Sequence, residues 1–102
     1  MSVTYVIGFT VKREERDRFL QLLNGVLDAM RTEENFRNAV LHHDPLDRCR
    51  FLLYETWADH QDVMEVQLER SYRVAWHEAL GEMLERPRDV SMWVPQRADG
   101  SV

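Results

Sequence analysis

Nine residues, Phe51-Leu52-Leu53-Tyr54-Glu55-Thr56-Trp57-Ala58-Asp59, constrain this chain more than any other stretch. Phe51, Leu53, Glu55 and Trp57 share one face by the two-residue period of a strand, and Leu52, Tyr54 and Thr56 share the other. Both faces are mostly apolar, so the strand must be covered on both sides, which places it centrally in its sheet. Asp59 follows as an N-cap whose carboxylate can accept from the first free amides of a helix. Glu55 breaks the pattern, because a carboxylate among buried positions needs a partner or a task. The expected partner is an arginine on a neighbouring strand, Arg37 or Arg50. The alternative is a general base with its pKa raised by burial.

The remaining elements arrange themselves around this strand. Val3 to Val11 alternates, with Val3, Tyr5, Ile7, Phe9 and Val11 on a core face and Thr4, Val6, Gly8 and Thr10 on the other. Gly8 in mid-strand marks a bulge or a close approach. From Lys12 to about Arg31, Phe19, Leu23, Val26, Leu27 and Met30 recur at helical spacing. Phe36 to His43 is a second strand, with Phe36, Asn38, Val40 and His42 on one face and Arg37, Ala39, Leu41 and His43 on the other. The turn Asp44-Pro45-Leu46-Asp47-Arg48 joins it to the central strand, its aspartates bonding their own backbone. A short helix from Asp59 to Glu69 points Val63, Val66 and Leu68 inward. A second helical segment from Ser71 to Glu85 carries Tyr72, Ala75, Trp76, Ala79, Leu80, Met83 and Leu84, and Pro87 stops it. Asp89 to Val94 is a fourth strand. The order β-α-β-β-α-α-β is an α+β, ferredoxin-like arrangement: a four-stranded antiparallel sheet with helices on one face. Residues 1–96 form one domain, and 97–102 read as a flexible C-terminal tail.

Helices can cover only one side of such a sheet. The other would expose Val6, Leu52 and Tyr54, joined by Leu41 and Trp93, an apolar patch larger than a monomer normally shows. Two-fold pairing of sheets would bury it, so a homodimer is expected. The net charge of −5, with both signs interspersed, leaves no basic stripe for nucleic acid or an anionic membrane surface. No apolar run is long enough to span a membrane. A single cysteine, Cys49, and a start without a signal-peptide pattern fit a cytoplasmic setting.

The Tyr54-Glu55-Thr56-Trp57 strand end, the opening strand, the amphipathic helix, the Glu33-Glu34-Asn35-Phe36 turn and the helix pair together resemble the antibiotic biosynthesis monooxygenase domain. That domain is a branch of the dimeric α+β barrel superfamily, and the resemblance covers Val3 to Val94. It implies two chains pairing their sheets into a shared barrel. It also implies oxidation of a small aromatic (a quinol, phenolic or polyketide-type molecule) by dioxygen, with neither metal nor flavin as cofactor. In that chemistry the deprotonated substrate itself passes an electron to oxygen. The protein must bind the aromatic, help remove a proton and exclude water. Where many members carry histidines beyond the tryptophan, this chain has Gln67 and Tyr72. A haem-degrading branch uses an asparagine, a tryptophan and a histidine, and of these only the histidine has a counterpart here, His77.

These considerations select the candidate site residues. Tyr72 and His77 are the candidates for proton transfer. Asn38, Tyr54, Trp57 and Trp76 are the candidates for substrate binding, in a pocket between the sheet and the second helical region. Core packing stands beside the binding role of each tryptophan, and a surface helix position stands beside that of His77. No metal site is expected, since His42 and His43 point to opposite faces of a strand. Two other functions remain open on the sequence: a non-catalytic dimer that binds a small aromatic ligand, and a haem-binding or haem-degrading protein.

Overall fold

The computed structural model describes residues 1–100. Four strands, β1 (Val3–Thr10), β2 (Phe36–Asp44), β3 (Asp47–Trp57) and β4 (Asp89–Trp93), form one antiparallel sheet in the order β2-β3-β1-β4. The helices are α1 (Arg16–Met30), α2 (His60–Glu65) and α3 (Val74–Met83). A 3-10 turn precedes α1, and two more, Gln67–Glu69 and Ser71–Arg73, link α2 to α3. Strand β3 is central, as its two apolar faces require, and β1 is its inner partner. The β1-α1-β2 crossover leaves a gap that β3 fills, the split βαβ connectivity of a ferredoxin-like fold. None of the helices among the described residues is long and apolar enough to cross a membrane.

Local chemistry sets the joints. Asp44 Oδ1 accepts from the Leu46 amide at 2.8 Å and Asp47 Oδ1 from the Cys49 amide at 2.9 Å, closing the β2–β3 hairpin around Pro45-Leu46. Asp59 caps α2 by accepting from the Gln61 amide at 3.3 Å. The Thr32 hydroxyl donates to the Ala29 carbonyl at 2.8 Å where α1 ends.

All helices lie on one face of the sheet. There Phe19, Leu23, Val26 and Met30 of α1 and Trp76, Ala79 and Met83 of α3 meet Val3, Phe9, Phe51, Leu53 and Trp57. Phe9, Phe19, Phe51 and Trp76 form a contiguous aromatic group with ring centroids 5.0–5.7 Å apart. The other face of the sheet carries no helix and is called the bare face below.

Three details of the sequence reading are corrected. The β2 register slips between Phe36 and Asn38, so Arg37 is an extra residue. Phe36 therefore shares the helix-covered face with Ala39 and Leu41, and Leu41 is not on the bare face. The bulge is in β2 rather than at Gly8, whose pairing with Leu52 and Asp89 is regular. In the α2 region Val66 faces outward and Gln67, only 2 % exposed, points in. The tail has no regular secondary structure from Val94 to Asp99, and Ser101 and Val102 lie outside the described residues.

Candidate functional site

Between the sheet and its helical roof lies a cavity of about 170 Å3. Its floor is Tyr5, Ile7 and Phe9 of β1 with Leu53 and Glu55 of β3. Leu23, Val26 and Met30 of α1 close one side. Val63, Trp76 and His77 close another, and the partly exposed Met64, Leu68 and Val90 surround the mouth. The volume is on the scale of the roughly 150 Å3 apolar cavity known to admit benzene. One aromatic ring fits within, a larger aromatic would extend through the mouth, and a porphyrin would require the roof to open.

Five polar side chains interrupt the apolar lining. Glu55 is 7 % exposed and its Oε1 accepts from Trp57 Nε1 at 3.2 Å. Burial raises its pKa above the ordinary carboxylate value, opposed by the Trp57 hydrogen bond and by the charges of Arg73 and Arg88. The expected ion pair with Arg37 or Arg50 does not form, because Arg37 bonds backbone carbonyls of Glu34 and Phe36 and Arg50 pairs with Asp44. The Tyr5 hydroxyl shares a 2.6 Å hydrogen bond with His60 Nδ1. Burial, then Glu55 and Asp59, raise the Tyr5 pKa, so the phenol keeps its proton. That bond joins the cavity floor to a surface histidine. His77 lines the cavity but remains exposed, as the surface-helix alternative expected, and its pKa is lowered by partial burial and by the nearby Arg88 and Arg73. Arg73 and Arg88 complete the set.

The sequence-predicted residues divide between three places. Trp76 and His77 line the cavity. Trp57 is fully buried beneath it, edge-on to Phe36 at 5.5 Å. Tyr72 lies behind Arg73, its hydroxyl 3.4 Å from both Glu33 Oε1 and Gln67 Oε1. It joins a polar cluster in which Gln67 donates to Glu33 at 3.0 Å and Asp62 at 3.2 Å, and Arg70 pairs with Glu33 at 3.1 Å. Tyr54 and Asn38 are on the bare face: Tyr54 pairs across with Val6 and Val40, and Asn38 with Thr56. Strand parity put Tyr54 opposite Glu55 from the start, so the expectation that both Tyr54 and Trp57 line one hollow is corrected by the two-residue period itself. Tyr5, Arg73 and Arg88 were missed. The alternation of the first strand did place Tyr5 inward, but nothing local marks the two arginines.

Glu55 gives a stability prediction. A carboxyl whose folded pKa is raised costs nothing while both states are protonated and destabilises the fold as pH rises above its unfolded value. Glu55→Gln keeps an acceptor for Trp57 and cannot ionise. It should therefore melt higher than wild type at pH 8, with the gap closing toward pH ~4, near the ordinary carboxylate pKa. Thermal melts by circular dichroism across that range decide it, and a gap independent of pH would contradict the assignment.

The fold and the roofed cavity define a ferredoxin-like α+β domain with an internal small-molecule-sized site. The antibiotic biosynthesis monooxygenase family model matches residues 2–84, and the chain belongs to that family. A candidate monooxygenase of Pestalotiopsis microspora is 30 % identical over 93 residues, covering 90 % of this chain and 78 % of that one. A candidate antibiotic biosynthesis monooxygenase from Nitrosomonas europaea superposes with a TM-score of 0.88 at 16 % identity, covering 97 % of this chain and 94 % of the other. SnoaB, a cofactor-independent oxygenase from Streptomyces nogalater, superposes with a TM-score of 0.80 at 16 % identity over 95 % of each chain. At those identities the two structures speak to the fold.

Proposed function

We propose that the chain is a cytoplasmic, homodimeric monooxygenase that oxidises a small phenolic, quinol or polyketide-type aromatic with dioxygen in the roofed cavity. The observation that carries this reading is an apolar hollow, sized for an aromatic ring and walled by Trp76 and His77, in a chain of this family. The cofactor-independent oxygenase SnoaB shares the fold, which supports chemistry without a bound cofactor. Such chemistry balances without an external reductant. When a CH2 between two aromatic rings becomes a carbonyl, one atom of dioxygen enters as the new oxygen. The other leaves as water with the two hydrogens.

The chain's part is to bind, deprotonate and keep water out. His77 is the proton acceptor, since its lowered pKa leaves the imidazole neutral near neutral pH. Trp76 presents its ring to the substrate. Trp57 supports the wall from below. Tyr72 holds Arg73 from behind rather than touching the substrate, which is why its loss should be mild. Tyr54 and Asn38 belong to the subunit interface in this reading.

Oxygen uptake against a panel of quinols and anthrones is the test. Wild type should consume oxygen with at least one of them. His77→Ala should lose about 100-fold or more, the usual contribution of a positioned acid–base group, while Tyr72→Phe should lose no more than a few-fold. The wild-type rate should fall as pH drops into the range where His77 protonates, and His77→Ala should lack that limb. No uptake by wild type on any substrate would remove the enzymatic reading and leave a binding dimer.

A further inference from the structure

Arg73 is the least expected residue of the cavity. It is 6 % exposed, and its Nε and Nη2 are buried with no hydrogen-bond partner among the described residues. A guanidinium rarely enters an interior unpaired, because desolvating a charge costs several kcal/mol unless partners replace water. Two aromatic rings lie within cation-π reach: the guanidinium carbon is 5.9 Å from the Trp57 ring centroid and 5.6 Å from that of Tyr72. They leave Nε and Nη2 unanswered. The charges of both arginines act on the buried Glu55, yet its carboxylate is held by Trp57 instead of by either of them. With Arg73 and Arg88 both at the cavity, the site keeps an excess positive charge whether Glu55 is ionised or not.

We propose that Arg73, seconded by Arg88, binds an oxyanion carried by the aromatic ligand, so that the substrates are acidic aromatics rather than neutral ones. This rests on the reading of the cavity as the substrate site and narrows it. The ring would occupy the apolar part against Trp76 and Phe9, and the guanidinium, whose Nε and Nη2 are closed to water as they stand, would turn that edge to the oxyanion. Either a carboxylate or a hydroxyl that ionises on binding supplies that chemistry. The Trp57 and Tyr72 rings, both within cation-π distance, hold the guanidinium in the wall before the ligand arrives, which lowers the ordering cost of binding.

The test uses two matched pairs of probes and the full chain. Benzoate and benzamide differ in charge and little in shape. Calorimetric titration should find benzoate bound about 10- to 100-fold more tightly by wild type, the factor expected of a charge-assisted hydrogen bond. 4-Nitrophenol, compared with 4-nitroanisole, reports ionisation by its phenolate absorbance, which should rise on binding at a pH below its solution pKa. Arg73→Met should abolish both preferences while keeping affinity for benzamide and 4-nitroanisole. Because it removes an unpaired buried charge, it should also melt no lower than wild type. Arg88→Gln, at the rim, should weaken the preference only partly. Discrimination by benzoate alone assigns a carboxylated ligand, and discrimination by nitrophenol alone assigns an ionising hydroxyl. Equal binding within both pairs overturns the oxyanion site and leaves an aromatic cavity standing. A large drop in melting temperature for Arg73→Met would make the arginine a structural strut and overturn it too. Binding of none of the four probes would take down the cavity reading itself.

Discussion

Trp57→Ala should cost about 3–5 kcal/mol, the range for emptying a buried large aromatic position. For a domain of this size that corresponds to a fall of roughly 15–30 °C in melting temperature. The reason is the number of separate roles meeting at one side chain. Trp57 is completely buried at the end of β3, paired in register with Val3 and Phe36. Its ring packs edge-on against Phe36 and beneath the Arg73 guanidinium, and its N–H supplies the hydrogen bond that Glu55 Oε1 accepts. Truncation leaves a void, strips a buried carboxylate of its donor and removes one of two rings under a buried cation. The last two losses push the cost toward the top of that range, since unmet buried polar groups are themselves worth about 1–3 kcal/mol. Against a total stability of about 5–15 kcal/mol, the variant should be partly unfolded at growth temperatures. Trp57→Phe separates the parts: it keeps most of the packing and loses the N–H, so it should fall by about 1–2 kcal/mol. Equilibrium denaturation of the three proteins is sufficient. A Trp57→Ala variant melting within about 5 °C of wild type would mean that this corner of the core is loosely packed.

The same side chain marks where the sequence was readable. Alternation over β3 gave its central place, both faces and the cap at Asp59, because each of these depends on neighbours a few residues apart. The aspartates of the β2–β3 turn were legible for the same reason. The β2 faces were not: a one-residue bulge at Arg37 breaks parity, and nothing in Phe36-Arg37-Asn38 announces it. The inward turn of Gln67 and Arg73 was hidden by the two 3-10 turns between α2 and α3. A three-residue period rotates side chains differently from the 3.6-residue helix that the pattern assumed, so Val66 went out and Gln67 and Arg73 came in. The bond between Tyr5 and His60 spans 55 residues and is set by tertiary packing alone. The elements and their order are thus local properties of this chain, while the polar half of the site is not.

Tyr54→Asp should turn the proposed dimer into a monomer without unfolding it. Tyr54 sits in the middle of the bare face, flanked by Val6 on β1 and Val40 on β2, and stacks on His42 with centroids 5.6 Å apart. Around it Leu52 is 43 % exposed and Trp93 62 % exposed, a density of apolar side chains that a solitary sheet face does not normally offer to water. A self-complementary pairing of two such faces covers the patch and places any residue near the two-fold axis opposite its own copy. Wild type should therefore sediment at twice the 12.2 kDa chain mass. The aspartate enters the interface twice per dimer, so desolvation is paid in both chains and like charges approach one another. At about 2 kcal/mol or more for each copy, the dissociation constant should rise by roughly a thousandfold. The core on the helix side is untouched, so far-ultraviolet circular dichroism should be unchanged. Val74→Asp, at a position 51 % exposed on the helical side, is the matched control and should leave the mass as it was. A wild-type mass of one chain at micromolar concentration, or a Tyr54→Asp variant as dimeric as the control, would mean that the bare face is covered by something other than a second copy.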